Sequence, residues 1–171
     1  MTIAREGWPY IGILLGVAAI AFAFRFPWTG GSLAVLGLFT TFFFRDPERT
    51  IPGDPRLVLS PADGKVVQVV PAPDGHPLGK GATQVSIFLS IFDVHINRSP
   101  IAGKITAVQY HPGEFLPAFD DKASLRNEQN RAFIDGPEGR VGFTQIAGLI
   151  ARRIVFRKKV GDVVARGEQV G

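Results

Sequence analysis

Ser60-Pro61-Ala62-Asp63-Gly64-Lys65-Val66 returns 39 residues later as Ser99-Pro100-Ile101-Ala102-Gly103-Lys104-Ile105. In both copies Ser-Pro enters a turn, Gly supplies conformational freedom, and a β-branched run follows. Similar runs occupy residues 65–70 (KVVQVV), 84–89 (QVSIFL), 104–110 (KITAVQY), 131–135 and 140–146, each bounded by Gly, Pro or Asp. Short alternating runs between such breakers predict strands joined by tight turns. One helix is expected over residues 121–129. From Arg45 onward the chain is therefore expected to be mainly β, and the repeat predicts a duplicated half.

The Ser-Pro-x-x-Gly-Lys turn resembles those of lipoyl, biotinyl and sugar-permease enzyme IIA domains. The tail at 160–171 (VGDVVARGEQVG) is similar to the hairpin wording of the same domains. That resemblance implies a duplicated barrel-sandwich hybrid. The repeat also separates scaffold from chemistry. Its second copy has Ala102 where the first has Asp63, so the turn itself does not require a carboxylate. Asp63 becomes a candidate for function, against the simpler reading that it caps its own turn.

Ahead of this body lies an apolar head. Residues 8–24 (WPYIGILLGVAAIAFAF) and 27–44 (PWTGGSLAVLGLFTTFFF) carry no charge, and Arg25 is the single charge between Trp8 and Phe44. As helices each would reach about 26 Å, close to the hydrocarbon thickness of a bilayer. Pro27, Gly30 and Gly31 mark a turn between them. Trp8, Tyr10, Trp28 and Arg25 stand where interfacial anchors stand, and Arg5, Arg45 and Arg49 place both ends on the cytoplasmic side. The expected organisation is a membrane-associated helical hairpin at 1–44 and a catalytic β-rich domain at 45–171. A secretory signal peptide is a poorer reading, because a second apolar run would then open the mature protein.

Composition excludes several classes. The 171 residues hold no Cys, which removes disulfides, thiolate metal sites and cysteine nucleophiles. Three His are few for a metal centre, and none is expected. A formal charge of +4 suits an anionic membrane surface or nucleic acid and is too small to choose between them. A nucleic-acid binder would interleave aromatics with basic residues in the body, whereas half of the 14 Phe fall in the 44-residue head. Arg152, Arg153, Arg157, Lys158 and Lys159 form a basic run able to meet lipid phosphates, or simply a solvated strand face.

The second chemical signal is 92–98 (FDVHINR). On a strand, Asp93 and His95 would share one face and Phe92, Val94 and Ile96 the other. A lone His in such a stretch is more often structural than catalytic. Here it runs straight into the second repeat turn, which should bring it towards Asp63. An Asp–His pair lacks only a hydroxyl to make a base-activated nucleophile.

These stretches, with 42–49 (FFFRDPER), 110–118 (YHPGEFLPA) and 121–130 (DKASLRNEQN), occur in an order that resembles the short bacterial and archaeal phosphatidylserine decarboxylases. The resemblance runs along the whole chain and implies a self-processing proenzyme of which this is the large chain. A serine attacks its preceding carbonyl and becomes an N-terminal pyruvoyl group on a small alpha chain. That group forms a Schiff base with the substrate amine and takes up electrons as CO2 leaves. By motif match, His95 is the base that deprotonates the serine and Asp63 orients it. Lys122, Ser124, Asn127 and Glu128 are expected to meet the lipid head group, although a solvated helix explains them as simply. The resemblance further implies an inner-membrane location, a phospholipid substrate, no nucleic acid, no metal, and room for a homodimer.

Two departures stand out. The Gly-Ser pair of this sequence, Gly31-Ser32, lies in the apolar head, so the pyruvoyl-forming serine is expected beyond Gly171. Some longer relatives carry an additional His where Phe92 stands. The alternative reading is a membrane-anchored lipoyl-like binding or adaptor module without catalysis. A carrier would need a modifiable Lys, typically beside Met, yet Met1 is the one Met of the chain.

Overall fold

The computed structural model describes residues 2–72, 75–117 and 122–171. They fall into two compact units. Met1–Arg49 with Ile91–His95 forms the first, and Thr50–Ser90 with Ile96–Gly171 the second.

In the first unit, α1 (Trp8–Ala23) and α2 (Pro27–Phe43) make a helical pair, each opened by a Pro within its first turn. There the missing N–H costs nothing. The connection is tighter than expected: Phe24, Arg25 with a positive φ of 62°, and Phe26 suffice. Gly30 and Gly31, expected in the turn, lie inside α2. A Cβ on Gly30 would come within 2.9 Å of the Phe22 ring, and one on Gly37 within 2.6 Å of Leu15. These glycines let the helix backbones approach, as small residues do between membrane helices. Thr40 and Thr41 return their hydroxyls to the carbonyls of Leu36 and Gly37, so α2 leaves neither polar group seeking water. The 19 residues Arg5–Ala23 are long and apolar enough to cross a bilayer. Strands β1 (Thr2–Ile3) and β2 (Arg45–Asp46) pair antiparallel and join the start of the chain to the end of the hairpin.

The second unit is mainly β. Strands β3 (Lys65–Pro71) and β4 (Thr83–Phe88) form an antiparallel ribbon. Strands β5 (Gly103–His111), β6 (Gln129–Gly136), β7 (Gly139–Ile146) and β8 (Val163–Val164) form an antiparallel sheet in the order β7-β6-β5-β8. The core lies under this sheet: Ile101, Ile105, Ala132, Ile134, Phe143, Val164 and Val170. The ribbon instead leaves Val66, Val67, Val69 and Val85 exposed. The expected helix at 121–129 shrinks to α3 (Ala123–Arg126), with Asp121 outside the described residues.

The repeat has a counterpart in detail. Ser60 Oγ donates to the Ala62 carbonyl and Ser99 Oγ to the Ile101 carbonyl, both at 2.6 Å. Gly64 lies against the Phe88 carbonyl and Gly103 against that of Asp135, where a Cβ would fall within 2.4 and 2.3 Å. The register breaks between Val66 and Gln68 in β3 and between Ile105 and Ala107 in β5, the same position of the repeat. The two turns also cross each other. Leu59 N–H donates to the Pro100 carbonyl at 2.9 Å and Arg98 N–H to the Pro61 carbonyl at 3.0 Å, a reciprocal pair related by the 39-residue shift.

Candidate active site

His95 sits at the end of Ile91–His95, which belongs to the first unit. This segment is a turn followed by extended chain, not the strand expected. Alternation survives only in part: Val94 and Ile96 are buried and Asp93 and His95 half-buried, but Phe92, expected on the apolar face, is exposed. The turn is held by the C-terminal end of α2. The Arg45 guanidinium lies 3.8 Å over the Phe42 ring and donates to the Phe42 carbonyl at 2.9 Å and the Phe92 carbonyl at 2.7 Å. Phe39 meets the Phe92 ring edge-on at 6.2 Å, and Phe43 packs on the His95 imidazole at 4.4 Å.

His95 Nδ1 lies 3.1 Å from the Asp93 carbonyl. A carbonyl can only accept, so the proton sits on Nδ1 and Nε2 is left with its lone pair, the form a general base requires. Burial pushes the imidazole pKa below its ordinary value and Arg45 adds to the shift. The Asp93 carbonyl and carboxylate oppose it. His95 is thus kept neutral at neutral pH.

Asp63 belongs to the second unit, half-buried in the Ser60–Gly64 turn. Around that turn runs a chain of amides in which Asn97 and Asn130, both within motifs already noted, meet Gln145, which was not. Asn130 Nδ2 donates to Gln145 Oε1 at 3.1 Å, Gln145 Nε2 to Asn97 Oδ1 at 2.8 Å, and Asn97 Nδ2 to the Pro61 carbonyl at 3.3 Å. Asn97 also exchanges backbone hydrogen bonds with Gly171 at 2.8 and 3.2 Å. Asn97 carried a signal, standing with Asp93 and His95 at every second position of 92–98, whereas Gln145 carried none. Arg166 was missed as well: its guanidinium donates to the carbonyls of Pro52, Asp54 and Leu57 and gathers the 52–57 segment.

The expected head-group residues cluster about α3. Lys122 precedes the helix and is exposed, and Ser124 is exposed while its carbonyl accepts from Gln129 Nε2 at 2.7 Å. Asn127 is buried. Its Oδ1 accepts the Leu116 N–H at 2.8 Å, and its Nδ2 donates to the carbonyls of Leu116 and Ala147 at 2.9 and 2.8 Å. Glu128 is half-buried beside Tyr110, whose phenol is pushed up by desolvation and then by the nearby carboxylate. Among the described residues no three His, Asp or Glu gather as a metal site needs.

The first unit thus holds an apolar hairpin and a neutral, half-buried imidazole, and the second a mainly β body. The family model for phosphatidylserine decarboxylase matches residues 36–171. Relatives named phosphatidylserine decarboxylase proenzyme include that of Symbiobacterium thermophilum, 50% identical over 99% of this chain and 79% of its own length. Those of Magnetococcus marinus and Carboxydothermus hydrogenoformans are 44% and 46% identical, over 99% and 98% of this chain and 78% of their own lengths. The chain belongs to the phosphatidylserine decarboxylase family.

Proposed function

We propose that this chain is the large chain of an enzyme that decarboxylates phosphatidylserine to phosphatidylethanolamine. The observation that carries the reading is its likeness, along nearly its whole length, to relatives whose name states that activity. The word proenzyme in those names supports self-cleavage at a serine, and with it a pyruvoyl group on a small second chain.

The residues present fit such a group. His95 offers a lone pair on Nε2, and Asn97, two residues on, holds the main chain at Gly171. When present, a pyruvoyl ketone supplies an electron sink for the carbanion left as CO2 departs. His95 Nε2 takes the proton of the serine hydroxyl, a poor nucleophile near neutral pH without a base. Burial by Phe43 keeps that base unprotonated. Asp63 completes the constellation by orienting the imidazole, a task in which the Asp93 carbonyl already shares. Lys122, Ser124 and Glu128 meet the phosphoserine head group, and Asn127 acts there by fixing the loops that carry them.

Residues 1–44 attach the chain to the inner membrane, and 45–171 form the catalytic domain on its cytoplasmic side. The matched bulges and the reciprocal Leu59–Pro100 and Arg98–Pro61 bonds support a duplicated barrel-sandwich hybrid for that domain.

Intact mass spectrometry of the complete gene product, together with conversion of phosphatidylserine in vesicles, tests this. Two chains are expected, the smaller with a blocked N-terminus, and phosphatidylethanolamine should accumulate. Full activity from an uncut chain would remove the pyruvoyl mechanism. A cut enzyme inert on phosphatidylserine would remove the substrate.

A further inference from the structure

One end of the four-stranded sheet carries an apolar tip with a basic flank. The register places His111, Gln129 and Ile146 together at this end. Two long connections leave from it, 112–128 between β5 and β6 and 147–162 after β7. They are tied together through Asn127, which bonds Leu116 on one side and the Ala147 carbonyl on the other. Ala147 N–H returns a bond to the Glu128 carbonyl, and Arg152 stacks 5.4 Å from the Phe115 ring. From this fastened base three aliphatic side chains project: Leu125 is 82% exposed, Ile150 68% and Leu149 48%. Arg152 and Arg153 follow immediately, both exposed.

Three exposed aliphatic side chains on one fastened base are costly to leave in water, because apolar surface is favoured in hydrocarbon. A firmly anchored apolar tip beside cations is how a soluble surface meets the headgroup region of an anionic bilayer. The charge comes from the second connection. The first holds Glu114, Asp120, Asp121 and Glu128 against Lys122 and Arg126, whereas 147–162 holds Arg152, Arg153, Arg157, Lys158 and Lys159 against Asp162. We infer that Leu125, Leu149 and Ile150 dip into an anionic phospholipid surface that Arg152 and Arg153 hold, a second membrane contact besides the hairpin. It rests on the reading that the chain works at a membrane.

The chain has no Cys, so Leu125→Cys, Ile150→Cys and, at the far end of the sheet, Glu138→Cys can each carry one polarity-sensitive fluorophore. Each labelled complete gene product is mixed with vesicles of phosphatidylcholine, alone or with phosphatidylglycerol. Labels at 125 and 150 should shift to the blue with the anionic vesicles and far less with the neutral ones, while 138 stays unchanged. Arg152→Gln with Arg153→Gln should abolish the difference. Labels that report water with both vesicles overturn the inference, as does a blue shift before lipid is added, which would mean that protein covers the tip. Equal shifts with both lipids overturn the role of the arginines. Flotation with vesicles reads the hairpin separately: a protein that floats while its labels report water loses this contact alone, and one that never floats loses the membrane reading.

Discussion

The Phe43 ring lies against the His95 imidazole, 4.4 Å between centroids and tilted by 30°. The last turn of an apolar helix thereby covers the candidate base. With Arg45 reaching the Phe92 carbonyl beside it, the environment of His95 is built by the hairpin.

Uncovering that ring should change its titration. Phe43→Leu lets water reach His95 and raises its pKa towards the ordinary 6.5. The base must be neutral to act, so the rising limb of self-processing against pH should move to higher pH. Phe43→Tyr should restore it. The same burial has a stability consequence. With a folded-state pKa below the unfolded one, protonation favours the unfolded chain, so stability is complete above about pH 6.5 and falls as pH drops from there towards the folded value. A processing limb unmoved in Phe43→Leu would count against His95 as the titrating base.

Self-processing of the complete gene product should stop in His95→Ala. Asp63→Ala should slow it by orders of magnitude, since orienting carboxylates of such triads are worth up to about 10⁴ in rate. A gel time course separates the outcomes. Normal cleavage in both variants removes the assignment, and a loss of tenfold or less in Asp63→Ala hands the orienting role to the Asp93 carbonyl.

The repeat predicts paired costs. Gly64→Ala and Gly103→Ala each press a Cβ on a strand carbonyl, at 2.4 and 2.3 Å, and should each destabilise by about 1–3 kcal/mol. Denaturant titrations of the two variants should agree with each other. A tolerated Gly64→Ala beside a damaging Gly103→Ala would break the equivalence of the halves.

Removing residues 1–44 should release the remainder into the aqueous phase. It should also leave the proenzyme uncut, because Phe39 and Phe43 no longer pack on Phe92 and His95. Ultracentrifugation followed by mass analysis checks both halves. A soluble truncation that cleaves at the normal rate would mean that the aromatic end of α2 is dispensable to the base.

Asn127→Ala strands the Leu116 N–H and the Leu116 and Ala147 carbonyls. Loss of buried partners costs about 1–3 kcal/mol for each group left unsatisfied. Hydrogen exchange should rise in both connections, 112–128 and 147–153, and nowhere else as strongly. Unchanged protection there would refute the fastening role.

Much of this was legible in the chain because the rules involved are local. Strand runs at 65–70, 84–89, 104–110 and 140–146 carry β-branched residues between Gly and Pro, and each was found within a residue or two. Two uncharged runs behind Pro gave two helices. The repeated Ser-Pro-x-x-Gly-Lys specified the same hydroxyl bond twice, since a Ser two residues before a carbonyl needs nothing distant to reach it. Local rules also misled. Gly30 and Gly31 read as a turn because Gly breaks helices in water, while here the packing of Phe22 on Gly30 outweighs that preference.

What only the tertiary structure decided is which groups meet across long separations. That Asn127 spends its amide on Leu116 and Ala147, and that Arg166 holds carbonyls more than 100 residues away, has no local trace. That His95 belongs with the hairpin follows from Phe39 and Phe43, one helical turn apart at the end of α2, and from Arg45 just beyond it. Spacing along a chain encodes what one element presents. Partners supplied by another element depend on where packing sets the backbone down, and that is decided by the whole fold at once.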